Sequence, residues 1–267
     1  MKSYRSNHIL NGVIFHRLAS LFLLIAFTTA TFVFPAFGEE KAKKKWADQT
    51  ELTLIQTKGN SDVETFQFKN KLTNNYTETL SSELNFEMLY SRAQEITSAE
   101  RYAASARMDY KLGPKLSSAL NLGWKRDVFA HINGRYSVGP ILTYRFLDGP
   151  NHFFKTEANL DYVYEEYTDD IEDDFDTEDD FLSAGLLAAY EWVLSETVKF
   201  TQSVKGFRDF KTHENYQIES ITALIAKLNS YFSLKTSYQI NHVTDPTPEE
   251  TTGKTDTILT VSLVADF

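Results

Sequence analysis

The chain contains no cysteine in 267 residues. Disulfide scaffolds, thiolate metal sites and cysteine nucleophiles are thereby excluded. After residue 38 no run is apolar and long enough to read as a membrane-spanning helix. Glycine and proline are modest, at 11 and 6. There is no phosphate-binding loop, dinucleotide fingerprint or zinc-ligand spacing, and no G-x-S-x-G nucleophile motif. No cofactor is implied. Basic residues are too few to balance the acidic ones, and the formal charge is −10. Nucleic acid is therefore a poor partner.

What is abundant is aromatic: 14 Tyr and 20 Phe, within a chain of mean hydropathy −0.35. The last thirteen residues, Thr255 to Phe267, show how such a composition is used. Leu259, Val261, Leu263, Ala265 and Phe267 fall on one face, while Asp256, Thr260, Ser262 and Asp266 fall on the other; Ile258 and Val264 are the exceptions. A period of two means an extended strand with one apolar side. Leu263 and the terminal Phe267 resemble the C-terminal assembly signature of outer-membrane β-barrels, whose interfaces carry aromatic girdles.

At the other end, Lys2, Arg5 and Arg17 precede an apolar run from Leu18 to Phe27, and Ala36 and Gly38 occupy the spacing of a cleavage site. This is the layout of a secretory signal peptide over 1–38. An uncleaved anchor is disfavoured by Thr28, Thr29, Thr31 and Pro35. Removing 1–38, which holds three basic and no acidic residues, takes the charge to −13. Residues 39–47 read as a charged periplasmic lead-in, and 48–267 as the barrel.

Alternation recurs in about twelve segments: 48–58, 62–73, 78–91, 99–112, 116–128, 134–147, 152–165, 180–193, 197–209, 215–228, 231–242 and 255–267. Each is near the length a tilted spanning strand needs. The first two are less clean, so the count lies between ten and twelve. Tight turns at 113–115, 147–150, 194–196 and 228–230 alternate with longer connections at 92–98, 130–133, 166–179, 210–214 and 243–254. A transmembrane barrel has short periplasmic turns and longer outer loops. An even strand number places both termini in the periplasm. The competing soluble sandwich would bury the apolar faces. The fold predicted is an all-β, antiparallel, up-and-down transmembrane barrel of a Gram-negative-type outer membrane.

Trp46, Glu51-Leu52 and the turn Lys58-Gly59-Asn60-Ser61-Asp62 resemble the opening of the YdiY-like, salt-induced outer-membrane proteins, whose turn begins with Ser rather than Lys. Tyr136-Ser137-Val138-Gly139-Pro140 and Phe267 are similar in style. The resemblance implies a porin-like outer-membrane barrel and supplies no catalytic residues.

Three constellations could carry function. Histidines His131, His152, His213 and His242 could serve an outer-membrane hydrolase if one met a serine at the rim; polar loop histidines are the simpler reading. The run Glu165 to Asp180 holds eleven carboxylates and no basic residue. Its loop, with Asp169, Asp170, Asp173, Asp174 and Asp176, could collect divalent cations, or be a solvated loop extended by self-repulsion. The third is the inward parity of the strands. It carries Lys69, Lys71, Arg101, Arg107, Lys111, Lys125, Arg135, Arg145, Lys155, Lys199 and Lys205 against Glu83, Glu87, Asp109, Glu157 and Asp161. Such an excess of basic groups suits a narrow channel for small anionic solutes. The alternative is an internal salt-bridge network that plugs the lumen. The expected partners are outer-membrane lipid and lipopolysaccharide, the barrel-assembly machinery, and small anions or divalent cations.

Overall fold

The computed structural model describes residues 45–57, 63–94, 96–168, 177–211, 216–244 and 255–267. The expected signal peptide, the 58–62 turn, His213 and the five loop aspartates lie outside these residues. Twelve strands follow one another: β1 Trp46–Thr57, β2 Val63–Asn75, β3 Leu80–Ala93, β4 Ile96–Lys111, β5 Leu116–Asp127 and β6 Ile132–Asp148. The second half is β7 His152–Tyr167, β8 Glu178–Val193, β9 Val198–Asp209, β10 Tyr216–Lys227, β11 Phe232–Val243 and β12 Thr255–Asp266. Every strand pairs antiparallel with its sequence neighbours, and β1 pairs with β12 to close the barrel. The strand count is twelve. Closure leaves no sheet edge along the paired wall, as spanning a membrane with strands requires.

Local chemistry sets the turns at one end. In three of them a polar side chain ends the preceding strand's run and caps the start of the next. The Thr77 hydroxyl accepts from the Leu80 amide, the Ser195 hydroxyl from Val198, and Asn229 Oδ1 from Tyr231 and Phe232. These are Asx- and ST-type turns, in which the side chain mimics a backbone acceptor. At the opposite end the connections are more varied. The expected long connection at 92–98 is mostly strand: β3 runs to Ala93 and β4 starts at Ile96, and Gln94 turns the chain at φ 50°. The strict alternation of short and long connections fails there, because polar residues such as Arg92 and Thr97 still pair across a ladder. Between β5 and β6 lies a single 3-10 turn, Val128–Ala130, ended by His131 at φ 54°.

Polarity is inverted relative to a soluble protein. Among the described residues, eleven buried ones are polar or charged and seven are apolar. Large apolar residues lie on the outer wall instead; Leu186, for example, is 68% exposed. Two aromatic belts bound this apolar wall. Tyr110, Tyr144, Phe154 and Trp192 sit near the tight turns, while Tyr102, Trp124, Tyr136, Tyr164 and Tyr216 sit near the other end. The belts are eight to ten residues apart along β4, β6 and β7. At about 3.3 Å per residue and a tilt of about 40°, that is roughly 20–25 Å of depth, the height of a lipid-facing band. The outer wall is built for hydrocarbon.

The closing seam differs from the other pairings. β1 and β12 are joined from Gln49↔Asp266 to Leu52↔Leu263 only, extended by one exchange of backbone hydrogen bonds between Asp48 and Phe267. The buried Thr53 and Ser262 hydroxyls then meet at 2.7 Å. Above them no ladder pairing joins the two strands, although β1 stays paired with β2 to Thr57 and β12 with β11 to Thr255.

Candidate functional site: the barrel lumen

Side chains of one parity on each strand point inward, and contacts between strands that are not neighbours identify that side. Arg107 on β4 bonds Glu157 on β7 at 2.9 Å and Thr143 on β6 at 3.2 Å. Lys235 on β11 reaches Glu51 on β1 at 2.7 Å, across β12. Only groups inside the wall can make such chords.

Arg107 is the densest junction. Its guanidinium also makes a two-armed contact with Asp109, at 2.7 and 2.9 Å, and Lys155 joins Glu157 at 2.8 Å. Both partners of the Arg107–Glu157 pair are largely removed from water, with side chains 15% and 8% exposed. Two cations on one buried carboxylate offset its desolvation, and a planar guanidinium suits several carboxylate oxygens at once. Elsewhere Lys69 pairs with Glu87, Lys71 with Glu83, and Lys199 with Glu191. Arg101 and Lys125 share Asp127, and Arg135 pairs with Glu165, whose other oxygen accepts from the Tyr167 hydroxyl. Arg145 and Lys205 have no carboxylate within 4 Å among the described residues. Asp161 accepts from Asn159, and both side chains lie flat over inward glycines, Asp161 over Gly139 and Asn159 over Gly185.

These pairs add carboxylates to the inward side and narrow the expected excess of basic charge. Glu51, Asp127, Glu165 and Glu191 share the inward parity; the last three hold one or two of the anticipated bases, and Glu51 holds Lys235. Lys235 is a further inward base. The overlooked carboxylates sit where the alternation is hardest to read: Glu51 in the first strand, Asp127 at the end of β5, and Glu165 where β7 enters the acidic run. The same rule of two would have found them.

Four of these ion-paired bases border one cavity. A cavity of about 480 Å³ lies against β1 to β6 and is lined by Lys69, Lys71, Lys125 and Arg135, with Glu51 and Glu87 as its acidic members. Serine, asparagine and glutamine fill much of the remaining surface, among them Gln49, Asn85, Ser105 and Ser137. Such a lining can hydrate or bind a small anion.

The described histidines are not paired with serine. His131 Nδ1 lies 3.4 Å from the Thr168 hydroxyl, His242 Nδ1 2.8 Å from the Thr255 hydroxyl, and His152 Nδ1 2.8 Å from the Tyr190 hydroxyl while its ring stacks on Trp192. Among the described residues no group of three His, Asp or Glu side chains is arranged to hold a metal ion. At the C-terminus, Leu263 faces outward on β12 and the Phe267 ring stacks on Tyr231 at 6.2 Å.

A closed barrel of twelve strands, polar within and apolar without, defines a transmembrane β-barrel protein. The chain belongs to the family described as "Protein of unknown function, DUF481", whose model matches residues 50–267. It is 32% identical over 175 residues to the "Uncharacterized protein YdiY" of Escherichia coli (strain K12), the match covering 62% of this chain and 62% of that one. Among solved structures, an outer-membrane channel from Pseudomonas putida F1 is similar with a TM-score of 0.49 at 10% identity, covering 88% of this chain and 100% of that chain. The translocator domain of autotransporter NalP from Neisseria meningitidis is similar with a TM-score of 0.49 at 8% identity, covering 96% and 97%.

Proposed function

We propose that the protein is a non-enzymatic outer-membrane barrel of the salt-induced type, whose lumen is a narrow passage for small anionic solutes. The observation that carries this is the cavity lined by Lys69, Lys71, Lys125 and Arg135. These groups, on β2, β5 and β6, each keep N–H donors beyond their own ion pair. Donors of positive charge in a confined lumen favour anions by the same electrostatics that selects ions in anion pores. The termini lie in the periplasm, the longer connections meet lipopolysaccharide outside, and the acidic loop around Asp169 to Asp176 gathers divalent cations there. Leu263 and Phe267 are read by the assembly machinery.

A second reading is favoured by the Arg107 junction, which ties β4, β6 and β7 across the interior. In it the ion pairs plug the lumen and the barrel is structural. Single-channel recording of the refolded mature chain in a planar bilayer separates the two. The passage predicts discrete, anion-preferring openings, lost in preference when Lys69 and Lys125 are neutralised. Arg107→Gln should enlarge the conductance. It should also destabilise the barrel by about 3 kcal/mol, since Asp109 loses its ion-pair partner and the buried Glu157 keeps only Lys155. A folded barrel without conductance puts the plugged reading in front, and a chain that stays in solution without detergent overturns both.

A further inference from the structure

The inner wall changes character along β8, β9 and β10. Leu186, Val204 and Leu224 face outward, 42–68% exposed, so by alternation the residues beside them face the lumen. These include Leu187 on β8, Lys205 and Phe207 on β9, and Ile221 on β10. The three apolar side chains surround the lysine. Leu187 stands opposite Lys205 in one ladder, and Phe207 follows it along the strand. Ile221 stands opposite Ser203, the inward residue on the other side of Lys205. In the closed ring β9 lies half a turn from β3, so this patch faces the charged cavity across the lumen.

Lys205 is exposed although it points inward, so the lumen is open beside it. It also lacks a counter-ion. Lys199 on the same strand pairs with Glu191, but Lys205 has no ion pair among the described residues. The carboxylate that faces it in register is Glu219. Gln239 of β11 donates to that carboxylate at 3.0 Å, which holds it toward β11 and leaves the ammonium free. An ammonium is a compact point charge with three donors, and in a confined lumen beside apolar walls its field is focused rather than dispersed. Such a patch fits a ligand with one negative charge and an apolar body. The charge meets the ammonium, and the body covers Leu187, Phe207 and Ile221, taking their apolar surface out of water. Glu219 on the facing strand repels a second negative charge, which disfavours dianions. We infer that Lys205 and the apolar patch around it form a binding site in the lumen for a small monocarboxylate with an apolar body, such as an aromatic acid. This names the class of anion that the passage takes, and rests on the reading of the lumen as an anion passage.

The probe is 4-fluorobenzoate, whose fluorine resonance is followed with the full mature chain refolded in dodecyl maltoside. The line should broaden saturably, and excess benzoate should reverse the broadening while excess benzylammonium should not. Trifluoroacetate, which carries the charge without the ring, should bind at least about tenfold more weakly. Lys205→Gln should weaken 4-fluorobenzoate binding at least about tenfold, the worth of one charge-assisted contact. Lys205→Arg keeps the charge and should stay within about threefold of the unaltered chain. Ile221→Asn should weaken binding about fivefold through lost apolar contact. Arg145→Gln, which removes another inward base, should leave binding unchanged. Each variant is checked for its compact, heat-modifiable band. The two Lys205 variants decide the matter even if Ile221→Asn does not fold, because that side chain projects into open lumen. Binding that survives Lys205→Gln, that falls equally with Arg145→Gln, or that benzylammonium reverses overturns the site. Chloride conductance of the same protein keeps the two readings apart. Conductance without 4-fluorobenzoate binding overturns the site and leaves the passage; binding that depends on Lys205 in a barrel without conductance keeps the site and removes the passage.

Discussion

At Gly139 the inner wall has room for a hydrogen and nothing larger. A Cβ there would strike the Leu160 carbonyl and the Asp161 side chain, which lie over β6 from the neighbouring strand. Backbone cannot step aside as a flexible side chain can, so Gly139→Val should prevent the β6–β7 hairpin from closing. The expected result is loss of the compact, heat-modifiable band in electrophoresis, with Val138→Ala on the lipid side leaving that band in place. The inward direction of most charged residues was legible from alternation alone, as for Arg107, Lys155 and Glu157. Their partners were not. Arg107 meets Glu157 fifty residues away because strand tilt and curvature bring β4 and β7 across the lumen, and a period of two contains no information about either. The same parity places Asp127 and Glu165 inward as well, two residues beyond Lys125 and four beyond Asp161; they went uncounted because they sit at the margins of their segments.

Elements were readable wherever the alternation was long and the turns carried their own chemistry. Thr77, Ser195 and Asn229 cap the strands that follow them, and those boundaries lie within two residues of the expected ones. The β3–β4 connection was not readable, because its strand ends are polar on both faces and look like loop. The seam could not be read either: nothing in β1 or β12 announces that their pairing stops at Leu52 and Leu263. Its upper limit is held by one buried hydroxyl pair, Thr53 with Ser262. Ser262→Ala leaves the Thr53 hydroxyl without its partner and should cost about 1–2 kcal/mol. Hydrogen exchange should show the loss as faster exchange at Leu52 and Leu263, with the β5–β6 amides unchanged. Equal acceleration everywhere would mean that the pair supports the whole barrel rather than the seam.

Over the whole molecule, eleven of the twelve pairings join consecutive strands, and only the seam unites the two ends of the barrel, with Gln49 bonding Asp266 217 residues away. The barrel class was legible at this scale because polarity, aromatic belts and connection lengths all point the same way; the balance of charge inside was not, because it depends on every pair at once. The geometry of the ends has a mechanical meaning. Trp46 and Phe267 emerge together at the rim of the tight turns, so tension applied between them acts at right angles to the seam and loads its hydrogen bonds one after another rather than all together. What resists is the short ladder from Asp48 to Leu52, with the Thr53–Ser262 pair above it and the Lys235–Glu51 ion pair across β12. Drawn from its termini in a force microscope, the protein should yield first in a single small event, followed by larger, evenly spaced releases as hairpins leave the membrane in sequence order. Built as a strip rolled up and fastened along one edge, it is weakest at the fastening.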